Sequence, residues 1–348
     1  MNRIRAEFGD PIHCPGSHGD LWSAAWADDD ALYCVSDDTR GFFGSCDSNL
    51  AVHRLDGTPP NLQGHTINPM LEYGRLGETL AEDGGMWKAC GLTCIDGVLY
   101  LSVSRHTGNE MHYSRHGIQE AWDSSIVVSY DHGKSWSQMP SLGKAMFPGH
   151  AFATPFFIQY GKDGYGYANG ADVYVYAISS KGVWNNGMGM TLGRVRRDRI
   201  ERLDPADWEF VQGFDIDGNP TWGKRHDVAR QVFYAPGRSS MTGVHYFEPL
   251  GIYIMPQWYY TNLEDLARRW KSTCIELWWA CTPWGPWKLF HRQRFEPEAW
   301  YNPHIPAKFI SEDGLRFTMF VAGDWTTCDD PEGYYSLFMI PVTLSTQE

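Results

Sequence analysis

The sequence predicts an all-β protein that folds as a single five-bladed β-propeller. One pattern occurs five times along the 348 residues: an apolar strand, a short turn, and a second strand rich in aromatic and β-branched residues. The turns at 96–97 and 313–314 are Asp-Gly, which is typical of β-hairpins. A hairpin repeated in this way indicates a propeller or a similar repeat architecture, and the 16 Trp residues suit the packing of one blade against the next.

The spacing of the hairpins sets the number of blades. Compact propeller families use about 40–50 residues for a four-stranded blade. The longer spacing here leaves room for loops in five blades, whereas seven blades would leave none. We therefore expect one domain over 1–348, with blades over 18–80, 86–145, 147–220, 226–295 and 300–348. The predicted hairpins span 21–35, 89–103, 153–176, 243–255 and 306–321.

Composition argues against nucleic-acid and membrane partners. The net charge is −13, and no block of Lys and Arg supplies the basic face that nucleic-acid binding needs. No run of apolar residues is long enough to form a membrane-spanning helix. Residues 1–10 lack the apolar stretch of a secretion signal, which predicts a cytoplasmic protein. A chain whose leader has been removed would instead be periplasmic or secreted, and the composition leaves the oligomeric state open.

The hairpin geometry is expected to bring polar residues from all five blades to one face. In a propeller the first strand of each blade lines the axis, and its start lies at the same edge as the end of the second strand. Polar groups that converge beside aromatic side chains indicate a binding pocket. The residues expected to bind substrate there are Trp22, Asp37, Lys88, Arg105, His106, His150, Arg238, Gln257, Trp258, Asn302, His304 and Asp324.

Asp20 and Asp38 are the predicted catalytic pair, because each lies beside apolar strand residues and is expected to face the axis. Glycoside hydrolysis uses two carboxyl groups, of which one protonates the leaving oxygen and the other activates water or attacks the anomeric carbon. Burial near Trp22 and Trp26 would raise the pKa of one carboxyl group, as an acid catalyst requires. The sequence therefore predicts a glycoside hydrolase of oligo- or polysaccharides. We expect no required cofactor and no metal in the site, and a structural Ca²⁺ ion is compatible with this expectation.

Lys88, Arg105 and Arg238 are expected to give the pocket a cationic side. Arg binds carboxylate and sulfate groups in a bidentate manner. These residues predict a preference for an anionic sugar, either a uronate or a sulfated residue. The alternative is that the three cations only neutralise Asp20 and Asp38.

Short motifs resemble a known family. The segments His18-Gly19-Asp20 and Val35-Ser36-Asp37-Asp38-Thr39 resemble the first blade of a bacterial five-bladed propeller family, formerly of unknown function, that includes endo-D-arabinanases. That family has Gly-Asp-Thr where this chain has Asp37-Asp38-Thr39. Residues 192–195, 199–200 and 207–213 are similar to its third blade. The resemblance implies glycosidase activity with Asp20 and Asp38 as the catalytic pair. It does not extend to the substrate, and Asp37 leaves the identity of the second acid open.

Residues 129–136 are similar to the Asp-box of sialidase-type propellers, S-x-D-x-G-x-[ST]-W. This resemblance implies a turn between two outer strands, in which the Asp binds local backbone and the Trp packs inward. Asp131 is therefore interpreted as a structural residue.

Two other functions are compatible with the sequence. A propeller polysaccharide lyase needs a His or Tyr base and a cation against the uronate carboxylate. The residues that could supply these groups are His106, His150, His304, Tyr246, Lys88, Arg105 and Arg238. A non-catalytic lectin is the second alternative, although the many ionisable groups expected in the pocket favour an enzyme.

Overall fold

The computed structural model describes residues 3–78, 85–107, 118–141, 143–165, 173–265, 268, 270–327, 330 and 334–347. Strands dominate these residues, and their helices are short 3-10 turns. None of the helices in the described ranges has the length and apolar character required to cross a bilayer. The protein is therefore all-β, as the repeated hairpins predict.

The strands form antiparallel sheets in chain order. The chain begins with β1 (Arg3–Phe8) and β2 (Ile12–His13). The first sheet contains β3 (Asp20–Trp26), β4 (Leu32–Thr39), β5 (Ser48–Asp56) and β6 (Gln63–Asn68), and the second contains β7 (Gly85–Ile95), β8 (Val98–Thr107) and β9 (Ala121–Ser129). The third contains β10 (Thr154–Gln159), β11 (Tyr174–Ser180), β12 (Gly187–Arg196), β13 (Glu209–Phe214), β14 (Pro220–Gly223) and β15 (Gln231–Ser239), which pairs with β12.

The fourth and fifth sheets follow the same antiparallel order. The fourth contains β16 (Val244–Phe247), β17 (Ile252–Tyr260), β18 (Thr273–Ala280) and β19 (Lys288–Phe295), and the fifth contains β20 (Tyr301–His304), β21 (Arg316–Ala322) and β22 (Leu337–Gln347). Both β1 and β2 pair with β22, so the beginning of the chain completes the fifth sheet. The 3-10 helices of the described residues are Leu71–Tyr73, Lys162–Gly164, Arg197–Arg202, Pro205–Asp207, His226–Val228, Glu248–Leu250, Ala307–Phe309 and Trp325–Thr327.

The innermost strands β3, β7, β10 and β16 contact one another in that order, and β20 contacts β3. Strand β20 meets β16 through the rings of His304 and His245, whose centres lie 4.6 Å apart. Polar side chains make most of these links, because side chains of neighbouring sheets reach the backbone groups that the ladders leave unpaired. The links are Leu92 N to Ser23 Oγ, Gln159 Nε2 to Leu92 O, Ile305 N to His245 Nε2, and Ala24 N to His304 Nε2, with β10 and β16 paired in parallel.

The apolar core lies between adjacent sheets. Each of its three buried clusters draws side chains from at least two sheets. One cluster, for example, joins Tyr100 of the second sheet to Phe157 of the third sheet. Burial of this kind is the main source of stability in a β-structure whose sheets each present two faces.

The first four predicted hairpins coincide with β3–β4, β7–β8, β10–β11 and β16–β17. Tyr100 lies in β8 and Tyr174 lies in β11, so the two belong to different sheets, as five blades require. The prediction of the fifth hairpin is wrong for its first strand. Its innermost strand is β20, and residues 307–309 form a 3-10 helix. Pro306 precedes that helix, and a proline has no N–H to donate to a strand ladder.

Residues 129–136 form a tight turn after β9. The carboxylate of Asp131 accepts hydrogen bonds from the backbone N of Ser135 at 2.8 Å and from its hydroxyl at 2.6 Å. The indole of Trp136 donates to Gly133 O and packs against the core. Asp131 therefore holds the turn, in agreement with its structural interpretation.

Gly91 gives a test of the packing between the innermost strands. A Cβ at this position would lie 2.6 Å from Phe156 Cα and 2.7 Å from Phe157 N, because β7 and β10 approach backbone to backbone. We expect Gly91→Ala to reduce the free energy of unfolding by about 1–3 kcal/mol, the usual cost of overpacking. Urea denaturation measures the change. The control Gly9→Ala meets only Pro341 at an ordinary 3.4 Å and should change stability little, and equal effects of the two substitutions would contradict this prediction.

Candidate functional site

A cavity of about 410 Å³ lies where the innermost strands begin. Its walls come from the first, second, fourth and fifth sheets and from loops, and they include both carboxylates and aromatic rings. Six of the residues predicted from the sequence line it: Asp20, Asp37, Asp38, Lys88, His106 and Trp258.

The acidic residues occupy an irregular part of the first sheet. Asp20 begins β3 and lies directly opposite Asp37 of β4. The pairing then shifts between Leu21 and Ser23, and the φ angles of Leu21 and Trp22 are 74° and 56°. Asp38 also has a positive φ of 43°. Such conformations are unfavourable for residues other than glycine and occur often at functional sites, so the backbone here is shaped for the position of its carboxylates.

Lys88 of β7 interacts electrostatically with Asp20, Asp37 and Asp38. Its side chain is 3% exposed, and its ammonium group forms an ion pair with the carboxylate of Asp38. Burial alone would lower the pKa of Lys88, but the charges of Asp38 and Asp37 outweigh burial and raise it. Lys88 is therefore an ammonium ion that neutralises part of the charge at the base of the cavity.

Asp20 has the properties of a carboxylic acid that keeps its proton near neutral pH. Burial and repulsion from Asp38 raise its pKa to about 7, although hydrogen bonds from Tyr301 and Tyr335 and the charge of Lys88 oppose the shift. The hydroxyl of Tyr301 donates to Asp20 Oδ2 at 2.7 Å. A carboxyl group with this pKa can exchange a proton with a bound ligand at physiological pH.

Asp37 is almost completely buried, with 2% of its surface exposed. Its Oδ1 accepts a hydrogen bond from Ala89 N at 2.9 Å, whereas its Oδ2 has no partner among the described residues. Burial raises the pKa of Asp37 well above its ordinary value, and Lys88 only partly opposes this effect. Asp37 therefore braces β4 against β7 through one oxygen, and its other oxygen is buried in the cavity wall without a partner among the described residues.

His106, near the end of β8, also lines the cavity. It is 7% exposed, and neither ring nitrogen has a hydrogen-bond partner in the described part of the chain. Burial, with a smaller contribution from Lys88, lowers its pKa to about 3. The imidazole is therefore neutral, and it packs against Trp184 with the ring centres 4.7 Å apart.

Several residues predicted for the pocket pack elsewhere. Trp22 is fully buried and donates its indole N–H to Gly19 O. Arg105 is buried beside Asp123 at 3.8 Å, and His150 is exposed and bonded to Ala121 O. None of these three residues lines the cavity.

The remaining predicted residues also take part in other contacts. The guanidinium of Arg238 forms an ion pair with the fully buried Glu276, and the amide oxygen of Gln257 accepts from Ser240 N. His304 bonds the backbone of Ala24, and Asp324 pairs with Lys271. Asn302 is buried without a partner for its side-chain amide among the described residues, but it does not line the cavity.

The lining residues that the sequence analysis missed include Gln119, Trp184, Tyr260, Tyr301 and Tyr335. Tyr301 begins β20 as Asp20 begins β3, so the rule used for the other blades would have found it had the fifth innermost strand been placed correctly. Trp184 and Tyr335 lie in loops, where the hairpin repeat carries no signal.

Two groups of side chains in the described ranges could hold a metal ion, and both lie outside the cavity. They are Asp28 with Cys94 and Asp163, and Asp28 with Asp29 and His132. Their members already bond one another, as His132 does with Asp28 at 2.8 Å. Neither group supplies the six or more oxygen ligands that Ca²⁺ prefers, so a structural Ca²⁺ ion stays a prediction.

No protein-family model matches the chain, and no curated protein sequence matches it. Solved structures resemble its fold. The xylan β-1,4-xylosidase from Bacillus halodurans aligns with 94% of this chain and 54% of its own chain, at 12% identity and a TM-score of 0.50. The α-L-arabinofuranosidase from Podospora anserina, in complex with cellotriose, aligns with 99% of this chain and 98% of its own, at 10% identity and a TM-score of 0.51. A GH43 protein from Bacillus licheniformis aligns with 96% of this chain and 54% of its own, at 12% identity and a TM-score of 0.50.

These structures define the class of the fold. The chain is an all-β protein of the five-bladed β-propeller class that such enzymes share. At this level of identity the likeness concerns the fold, and the chemistry has to be argued from the cavity.

Asp20→Asn tests whether the pKa of Asp20 is raised in the folded protein. The folded protein binds a proton at Asp20 that the unfolded chain releases near its ordinary pKa of 3.8, so the native Asp20 reduces stability as the pH rises towards 7. The asparagine side chain of the variant does not titrate. We expect the variant to gain stability over the native protein, with the gain growing by about 2.5 kcal/mol between pH 5 and pH 8. Urea denaturation at the two pH values measures it.

Asp198→Asn is the matched control, because Asp198 is exposed and its pKa is lowered by the hydrogen bond from Arg196. This variant should show no gain in stability at either pH. An Asp20→Asn protein that is less stable than the native protein at pH 8 would contradict the proposed burial of the carboxyl group.

Proposed function

We propose that the protein is a glycoside hydrolase in which Asp20 is the general acid and Asp38 is the base or nucleophile. The observation that carries the proposal is the pairing of two unlike carboxyl groups in one cavity. Asp20 has a pKa raised to about 7, and Asp38 is a carboxylate in an ion pair with Lys88. One carboxyl group with a raised pKa beside a second that pairs with a cation is the usual basis of acid–base assignment in glycosidases.

The shape and composition of the cavity support a sugar as the ligand. Trp184, Trp258 and Trp325 line it together with several tyrosines. Aromatic rings pack against the C–H faces of sugars, while their polar edges and the carboxylates bond hydroxyl groups. A cavity of about 410 Å³ is in the range of small-molecule sites, so it suits one or two sugar units of a longer chain.

The fold adds independent support at a coarser level. A xylan β-1,4-xylosidase and an α-L-arabinofuranosidase share it. The resemblance of Asp20 and of residues 35–39 to endo-D-arabinanases makes D-arabinan one substrate to include in any trial. We propose further that the chain acts as one domain and needs no cofactor for hydrolysis.

The structure gives less support to a lyase. β-Elimination on a uronate requires a cation against the carboxylate. Of the described residues that line the cavity, Lys88 is the sole lysine or arginine, and it is paired with Asp38. Arg105 and Arg238 form ion pairs elsewhere. For the same reason the preference for an anionic sugar, expected from these three cations, does not form part of the proposal.

Substitution of the two aspartates tests the proposal directly. Asp20→Asn and Asp38→Asn should each lower kcat by about a hundredfold or more, the usual size of an acid–base contribution. Release of reducing ends from D-arabinan, arabinoxylan, xylan, galactan and polygalacturonate measures turnover, and ultraviolet absorbance of unsaturated uronate detects elimination.

Asp198→Asn is the control for a surface aspartate and should retain full activity. A folded Asp20→Asn, Asp38→Asn double variant with near-normal turnover would remove the hydrolase proposal. A folded native protein that binds one of these glycans without releasing any product would instead favour a lectin.

The pH dependence gives a second test. If Asp20 must be protonated to donate, kcat/KM should fall as the pH rises through about 7. Tyr301→Phe removes a hydrogen bond that favours the carboxylate form, so the pKa of Asp20 should rise and the alkaline limb should move to higher pH. A limb that moves to lower pH, or that does not move, would argue against Asp20 as the acid. Thermal melting of Tyr301→Phe checks that the fold is kept.

A further inference from the structure

Two arginines and a buried carboxylate meet at the seam between the third and fourth sheets. Glu276 of β18 is fully buried. Arg238 belongs to β15, which pairs with β12 of the third sheet, and Arg292 belongs to β19 of the fourth sheet. None of these three residues lines the cavity. The sequence predicts that Arg238 binds an anion in the pocket, whereas the structure places its guanidinium group outside the cavity.

Glu276 holds the two guanidinium groups side by side. Its Oε1 accepts hydrogen bonds from Arg238 Nη1 at 2.8 Å and from Arg292 Nε at 2.7 Å, and Arg292 Nη2 lies 2.6 Å from the same oxygen. The hydroxyl of Tyr259 also donates to Oε1, at 3.3 Å, and the indole of Trp278 donates to Oε2 at 2.9 Å. Because one oxygen receives both arginines, their guanidinium groups are direct neighbours.

The charges at the seam do not balance. Among the described residues, Glu276 is the acidic partner in each ion pair that Arg238 and Arg292 form. One negative charge therefore faces two positive charges, since arginine stays protonated in proteins. Each guanidinium has five N–H donors, and Glu276 occupies only part of them. The side chains of Arg238 and Arg292 are 34% and 49% exposed, so a ligand in solution can reach them.

Both guanidinium groups are oriented by the protein itself. Arg292 contacts Glu276 through two of its nitrogens. The ring of Trp278 lies 5.9 Å from the guanidinium carbon of Arg238. Trp278 is fixed in turn by its bond to Glu276 and by an edge contact with Phe233 at 5.0 Å. Side chains that are already held in place lose little conformational entropy when they bind a partner.

Two adjacent guanidinium groups restrict the ligand to an oxyanion. Arginine presents its N–H donors in a rigid planar fork, which matches the paired oxygens of a carboxylate, a sulfate or a phosphate. A neutral hydroxyl accepts one such bond but leaves the excess positive charge uncompensated. An oxyanion on the exposed side of the arginines supplies the second negative charge, and charge attraction near a protein surface is stronger than in bulk water.

We propose that Arg238 and Arg292 form an oxyanion-binding site at the seam between the third and fourth sheets, separate from the cavity. The ligand is a carboxylate, sulfate or phosphate group, either as a free ion or as a substituent of an acidic sugar. The site does not depend on the proposed hydrolysis, because neither arginine lines the cavity. Arg238 thus binds an anion, as the sequence predicts, but at a different place on the molecule.

Calorimetric titration of the native protein tests this site. The probes are sodium sulfate, sodium phosphate, glucuronate and tetragalacturonate, at a constant ionic strength maintained with sodium chloride. We expect at least one probe to bind at a single site with a Kd of about 1 mM or lower. A uronate that binds more tightly than both inorganic ions identifies an acidic sugar as the source of the oxyanion, and the reverse order identifies a free ion. Failure of all four probes to show saturable binding would overturn the proposal.

Substitutions at the seam locate the bound group. Arg292→Gln should weaken the tightest probe by about tenfold or more, because charge-assisted hydrogen bonds to the anion are lost. Glu276 keeps its bonds from Arg238, Tyr259 and Trp278 in this variant, so we expect the fold to be retained, and melting temperatures check it. Arg292→Lys keeps the positive charge but loses the planar fork, and should weaken the probe by about threefold or more.

Arg316→Gln is the matched control. Arg316 is 70% exposed and pairs with one carboxylate, that of Asp313, so this variant should bind the probe as the native protein does. Unchanged binding in a folded Arg292→Gln protein would overturn the proposal. Arg292→Lys provides the same test if the glutamine variant does not fold, and unchanged binding there has the same meaning.

The double variant Asp20→Asn, Asp38→Asn separates this site from the cavity. When folded, it should bind the probe as tightly as the native protein, and a loss of binding would place the anion in the cavity and overturn the proposal. Absence of turnover by the native protein on every glycan, together with probe binding that depends on Arg292, would overturn the hydrolase proposal and leave the oxyanion site intact.

Discussion

The cavity depends on one buried cation, Lys88. Three aspartates of the first sheet lie close enough to influence one another, and their mutual repulsion would drive them apart or force them to take up protons. The ammonium group of Lys88, from the second sheet, offsets that repulsion and is itself kept charged by the carboxylates. A buried charge left without its partner is strongly destabilising, so the two sheets and the chemistry of the cavity are coupled through this single side chain.

The strand pairing is irregular beside three residues of the cavity. The ladders shift register in β3 between Leu21 and Ser23, in β7 between Ala89 and Leu92, and in β20 between Tyr301 and His304. A bulge bends a strand and redirects its side chains. Each shift lies next to a residue of the cavity, namely Asp20, Lys88 and Tyr301. The next ladders outward in the first and fifth sheets, β4–β5 and β21–β22, show no register shift.

The sequence predicted the part of the site that follows from strand periodicity. Asp20, Lys88, His106 and Trp258 were found because the ends of paired strands share an edge. The same rule failed at two pairs of neighbouring residues, Arg105–His106 and Gln257–Trp258. Successive side chains of a strand point to opposite faces, so Arg105 and Gln257 turn away from the cavity that His106 and Trp258 line.

Other features had no local signal. Arg238 lies on β15, which pairs with β12 of the third sheet and carries the guanidinium to Glu276 rather than to the axis. Tyr335 reaches the cavity from a loop. The pairing of β1 with β22 joins segments from opposite ends of the chain, which the hairpin repeat does not relate.

The pairing of β1 with β22 also bears on how the protein folds. Arg3 is opposite Gln347 and Phe8 is opposite Val342, so these contacts have almost the greatest sequence separation that the chain allows. Contacts between distant residues form slowly, because a long loop must close before they stabilise it. During synthesis the first sheets can form as their hairpins emerge, whereas β1 has no strand to pair with until β22 has been made. The fifth sheet, which supplies Tyr301 to Asp20, therefore cannot be completed before β22 has been made.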